Sequence, residues 1–217
     1  MFLSIKNITK VSWSSKKPLN LKPKISTFFF LCFGLALFGL GEGLLIVSFT
    51  GASPWSVLAQ GISLHVNLSI GIITFFISLF VIFLWIFLNQ KPGIGTMLNA
   101  VIIAFMIDIS IAFFSTPESF FFKILMAIIS VLLVGIGSGF YLIANLGPGP
   151  RDGLMTGLQK KTSLPIGGVR AFLEISVVSM GWYLGGTVGI GTLFFAFGVG
   201  PAVALGLYLV AKGSLKK

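Results

Sequence analysis

Six ionisable side chains stand within, or at the mouths of, stretches that are otherwise apolar: Glu42, Asp108, Arg151, Asp152, Arg170 and Glu174. A charge inside a bilayer costs several kcal/mol unless it is paired or hydrated, so each is a candidate solute-binding residue. Arg170 and Glu174 are four apart and share a helix face. Their spacing predicts a local ion pair with Arg170 reaching back to the inner headgroups; the sharper alternative gives Glu174 a proton or cation to hold. Glu42 lies in Gly39-x-Gly41-Glu42-Gly43, where small residues let helices approach closely. A protonated Glu42 bonding across that seam and a transport role for it are both open. Arg151 and Asp152 belong to Leu146-Gly147-Pro148-Gly149-Pro150-Arg151-Asp152-Gly153, which sets rigid and permissive backbone beside both signs of charge. The formal charges of Arg151, Asp152, Arg170 and Glu174 cancel, which lowers the cost of burial and predicts one charged cluster. An anionic solute would satisfy its two arginines.

Other chemistry finds no support. The single histidine, His65, falls in a loop, so no metal site is expected. Ser138 has no histidine within the apolar segments to activate it, and no phosphate-binding loop, CxxC or HExxH is present. No catalytic residue and no cofactor is expected, and the chain is not read as an enzyme. The lone cysteine, Cys32, sits in an apolar run and says nothing about redox compartment.

The elements that must hold these residues are membrane helices. Of 217 residues 56% are hydrophobic and only 9% charged, too few charges to solvate a soluble surface. Mean hydropathy is +1.05. A span needs about 20 apolar residues, which predicts six: 25–48, 69–89, 95–115, 120–144, 166–185 and 190–211. Residues 1–24 carry Lys6, Lys10, Lys16, Lys17, Lys22 and Lys24 without an acid and read as a basic cytoplasmic tail against anionic lipid. With that tail inside, Lys91, Arg151, Lys160, Lys161, Lys212, Lys216 and Lys217 fall on the same side, and only Lys123 outside. The net charge of +10 thus reports membrane orientation rather than nucleic-acid binding. Trp55, Trp85 and Trp182 fall near the predicted interfaces, where indole rings anchor.

The chain also repeats itself at an offset of 96. Gly39, Gly41 and Gly43 fall on Gly135, Gly137 and Gly139; Gly51 and Pro54 on Gly147 and Pro150; Gly93-Ile94-Gly95-Thr96 on Gly189-Ile190-Gly191-Thr192. Each copy, 25–115 and 120–211, contains three predicted spans. An odd number makes the second copy enter from the opposite face, an inverted repeat of the kind found in secondary transporters. After Pro54 and after Pro150 each copy has a short helix of about three turns, too short to span. Ser53 is placed to cap the first. Lying flat at the interface is the expected placement; a helix dipping inward would instead bring the positive end of its dipole to an anion. The repeat has kept backbone punctuation and lost charge, since Glu42 matches Ser138, Asp108 matches Ala204 and Glu174 matches Ser78.

Gly147-Pro-Gly-Pro-Arg-Asp-Gly-Leu-Met155, Val169-Arg170-x3-Glu174 and Gly185-Gly186-x2-Gly189-Ile190-Gly191-Thr192 together resemble the YczE/YyaS/YitT family of bacterial integral membrane proteins. Ser53-Pro54-Trp55 and Gly93-x-Gly95-Thr96-x2-Asn99 are similar to the family's first-half motifs, and the resemblance covers about 25–211. It implies a multipass prokaryotic membrane protein and no particular substrate. The long basic tail before Ile25 departs from the family's usual short amino terminus.

The reading is an all-α membrane protein of six spans with both termini cytoplasmic, in the plasma membrane of a prokaryote. The expected function is a small permease of an unknown solute, with an anion as the first candidate. The alternative is a non-transporting helper that stabilises or regulates a membrane partner. The partners expected are the bilayer and the solute, with a homodimer left open.

Overall fold

The computed structural model describes residues 10–215; Lys6 of the basic tail and Lys216 and Lys217 of the inner lysine set lie outside them. The described residues form α1 (Ile25–Val47), α2 (Pro54–Val66), α3 (Ile70–Leu84, continued by a 3-10 turn Trp85–Leu88), α4 (Ile94–Phe113), α5 (Phe120–Ala144), α6 (Pro150–Thr162), α7 (Ile166–Tyr183) and α8 (Ile190–Leu215). Five are long and apolar enough to cross a membrane: α1, α3 with its extension, α4, α5 and α8. The sixth expected span forms as α7, but it is only 18 residues long and carries Arg170 and Glu174, and it is not among those five.

α1 is the central helix, packed between α4 and α5, and α5 turns its other face to α8. Small residues set these distances. A Cβ on Gly137 would come 2.5 Å from the Gly34 carbonyl oxygen, so α1 and α5 touch backbone to backbone only because both positions are glycine. The outward faces stay apolar: Phe76, Phe80, Phe105, Phe172 and Phe197 are all exposed, as a lipid-facing surface requires. α7 stands apart, held by α2 and α6 and hardly touching α8.

The starts and turns of the two halves fall at one spacing. α2 and α6 begin at Pro54 and Pro150, α3 and α7 at Ile70 and Ile166, α4 and α8 at Ile94 and Ile190. Left-handed backbone recurs with them, at Gly51 (φ 115°) and Gly147 (φ 113°), at Asn67 and Ser163, and at Asn89 and Gly185. Gly51 and Gly147 reverse the chain after α1 and α5, a conformation that side chains resist. The Gly95 N–H donates to the Leu146 carbonyl at 2.8 Å, and the Gly191 N–H donates to the Thr50 carbonyl at 2.8 Å. Each half thus ties the start of its last helix to the turn in the other half.

The short helices do not lie flat. In α2, Pro54, Trp55, Ser56 and Val57 are buried while Leu64, His65 and Val66 are exposed. Its second turn packs on the far end of α7, where Gly61 faces Gly181 and Leu184, and α6 packs on the far end of α3, where Gly153 faces Trp85. The amino ends point into the body and the carboxyl ends leave it. The cause is the return after α1 (residues 48–53) and after α5 (residues 145–149), each opening on a turn, which brings the next helix back inward.

The tail also differs from a loose basic arm. Val11, Trp13 and Ser15 are buried. The Trp13 ring lies 4.6 Å from that of Phe30, and its Nε1 donates to Ser214 Oγ at 2.9 Å. Asn145 Nδ2 donates to the Ser15 carbonyl at 2.9 Å, and Thr27 Oγ1 to the Trp13 carbonyl. Lys10, Lys16, Lys17, Lys22 and Lys24 remain at its surface while the residues between them clamp the ends of α1, α5 and α8. Two of the three expected interface tryptophans are likewise internal: Trp55 is 6% exposed and Trp85 1%, whereas Trp182 is exposed.

Candidate binding cavity

Ser53 precedes α2 in extended backbone, but its hydroxyl does not cap the helix. It donates to Glu42 Oε2 at 2.6 Å, as does Ser56 Oγ at 2.6 Å. Glu42 is completely buried, and its second oxygen, Oε1, has no hydrogen-bond partner. The nearest cation to Oε1 is Arg151 Nη1 at 4.0 Å, a charge contact rather than a hydrogen bond. Arg151 also lies over the Trp55 ring, 5.3 Å from its centroid, within range of a cation–π attraction. Trp55 and Arg151 are the second residues of α2 and α6, so the amino ends of the two short helices face each other across this contact.

The start of α6 is fixed from behind. Trp85 Nε1 donates to the Pro150 carbonyl at 3.0 Å, and its ring covers Gly153 so closely that no larger residue fits there. Asp152, one residue past Arg151, takes the Tyr141 hydroxyl on Oδ2 at 2.5 Å. On α7, Arg170 Nε donates to Glu174 Oε1 at 2.8 Å in the i,i+4 pair its spacing predicted.

A cavity of ≈ 260 Å³ joins these groups. Arg151, Asp152 and Arg170 line it together with Asn99 and Tyr141, and its apolar walls include Phe38, Ile103, Phe195 and Val199. Arg170 comes from α7 and Phe195 and Val199 from α8, two helices that hardly meet, so the cavity has a thin side there. Glu42 and Glu174 are not on its surface but stand behind Arg151 and Arg170 respectively. Asp108 is placed elsewhere. Its Oδ1 accepts from the Gly71 N–H at 2.8 Å and its Oδ2 from the Ser69 hydroxyl, so it pins the first turn of α3 to α4.

The parts played by Tyr141 and Ser56 and the inward roles of Trp55 and Trp85 are not legible in the local sequence. One signal was available: Trp55 and Arg151 occupy the same place in the two copies of the repeat. Among the described residues no group of three or more His, Cys, Asp or Glu is arranged to hold a metal ion.

A family described as "Family of unknown function (DUF6198)" matches residues 25–207. An uncharacterised protein of Haemophilus influenzae is 38% identical over 208 residues, covering 96% of this chain and 94% of its own. The uncharacterised membrane protein YczE of Bacillus subtilis is 32% identical over 176 residues, covering 78% of this chain and 79% of its own. No solved structure matches.

Proposed function

The chain belongs to the DUF6198 family and is a multipass membrane protein similar to YczE, and we propose that it is a small permease whose solute binds in the cavity between the amino ends of α2 and α6. The observation that carries the reading is the cavity itself, lined by Arg151, Asp152 and Arg170 within a bundle of otherwise apolar helices. Charges are costly in such surroundings and persist where they face water or a ligand. A helper protein that only props up a partner has no use for a charged cavity among its helices. The reading assigns no catalytic residue.

In this proposal α7 is a sixth span and the halves form an inverted repeat. Equal spacing of helix starts and left-handed turns supports it, as do the reciprocal bonds from Gly95 to Leu146 and from Gly191 to Thr50. The Arg170–Glu174 pair lowers the cost of placing α7 in lipid. Half-helices whose amino ends meet near the midplane are a recurrent way for transporters to hold polar groups. Alternating access follows if one half rocks against the other about the Trp55–Arg151 contact.

The proposed setting is a bacterial plasma membrane with both termini in the cytoplasm. Lysine placement supports that orientation, and the docked tail, the α3–α4 link and the ends of α5 and α8 share one end of the bundle. The test is untargeted metabolite comparison of sealed vesicles with and without the protein, repeated with Arg170→Gln. Solutes moved by wild type and not by the folded variant support the permease; identical contents in all three preparations refute it.

A further inference from the structure

The charges around the cavity do not balance as a purely anionic solute would require. Arg151 already faces Glu42 at 4.0 Å, and Arg170 already holds Glu174 at 2.8 Å. Asp152 is the charge left over. Its hydrogen-bond partner is the neutral Tyr141 hydroxyl, and no cation among the described residues lies within ion-pair distance of it. Asp152 keeps an exposed surface where it lines the cavity, so it presents a negative charge to a positive group that enters. The arginines call for something different. A guanidinium has five N–H donors and no acceptor. Arg170 gives only its Nε to Glu174, and Arg151 makes no side-chain hydrogen bond at all, so donors from both remain to be met.

We infer that the solute is a small zwitterion with an apolar body, an amino acid in chemical class, with its ammonium on Asp152 and its carboxylate on the donors of Arg151 and Arg170. The inference rests on the permease reading for its biological meaning. A cavity of ≈ 260 Å³ suits such a molecule, being just below the ~300–1,000 Å³ usual for drug-sized ligands. Phe38 and Phe195 supply the wall against which an apolar side chain would rest. Removal of the amine leaves the Asp152 charge unmatched, and removal of the carboxylate leaves guanidinium donors without an acceptor, so the loss of either end costs affinity.

Three probes of one shape test this on the purified full-length chain in nanodiscs, by titration calorimetry: L-phenylalanine, 3-phenylpropionate, which lacks the amine, and phenethylamine, which lacks the carboxylate. L-phenylalanine is expected to bind about tenfold or more tighter than either. Asp152→Asn is expected to bring it down to the level of 3-phenylpropionate, and Arg170→Gln to the level of phenethylamine. The wild-type comparison needs no variant, so a misfolded mutant does not spare the inference. Equal or tighter binding of 3-phenylpropionate makes the site a simple anion site, and of phenethylamine a simple cation site; either overturns the zwitterion and leaves the permease standing. Failure of all three to bind also overturns the inference, and the vesicle comparison then decides separately whether the chain transports anything.

Discussion

Trp55 and Arg151, which occupy the same position in the two halves of the chain, touch each other: the guanidinium carbon lies 5.3 Å from the centre of the indole. A residue that meets its own counterpart lies at the seam between the halves, and here each partner brings something different. Trp55 offers an apolar face and Arg151 a charge, with Glu42 behind it at 4.0 Å. Arg151→Gln removes the one cation among the described residues within ion-pair distance of a fully buried carboxylate and is expected to cost about 2 kcal/mol. Glu42→Gln with Arg151→Gln should recover part of that loss. Thermal unfolding of the purified single and double variants measures the coupling, and strictly additive losses would count against the contact.

The same seam depends on Trp85. A Cβ on Gly153 would sit 1.9 Å from the Trp85 ring, so Gly153→Ala is expected to destabilise by about 1–3 kcal/mol through overpacking. Trp85→Leu alone opens a cavity, yet combined with Gly153→Ala it should be less harmful than additivity predicts. Melting temperatures of the three variants give the answer.

Much of this architecture is legible in the sequence, because helix boundaries here are set by local chemistry. Pro54 and Pro150 begin helices and Gly51 and Gly147 turn the chain, and these residues announce themselves at one spacing. What sequence hides is direction and pairing. Nothing local says whether a helix after Pro54 lies flat or points inward, since that depends on which distant surface takes its first turn. Trp55 and Trp85 read as interface anchors for the same reason: an indole suits both a headgroup and a buried seam, and only the neighbouring Arg151 and Gly153 decide between them. Asp108 misled in the opposite way. A carboxyl in an apolar run looks like a binding residue, but Ser69 and the Gly71 amide, from a different helix, take up both its oxygens.

The docked tail yields its own prediction. Trp13 is buried against Phe30 and bonded to Ser214, and Trp→Ala at a buried site costs about 3–5 kcal/mol. For a segment at the edge of the fold the loss should be local. Trp13→Ala is expected to make the chain around Lys16 and Lys17 far more sensitive to trypsin while the melting temperature moves little. Unchanged cleavage would mean that the tail is not held by this residue.

Orientation is checked by labelling. In a Cys32→Ser background, Leu64→Cys at the end of α2 and Thr162→Cys at the end of α6 lie on exposed carboxyl ends, which the proposed inverted arrangement puts on opposite faces of the membrane. A membrane-impermeant maleimide added to intact cells is expected to modify Leu64→Cys alone, with Thr162→Cys reacting only after lysis. Reaction of both from one face contradicts the inverted arrangement.

The most direct measurement of the central claim is water access to the cavity. Asn99 lines it from α4 and is not one of the charged groups. In the Cys32→Ser background, Asn99→Cys in oriented vesicles is treated with a small charged thiol reagent from the cytoplasmic side or from the outside. An alternating-access permease predicts reaction from both sides, slowed when a transported solute is present. No reaction from either side would mean a sealed, dry core and would contradict the permease account.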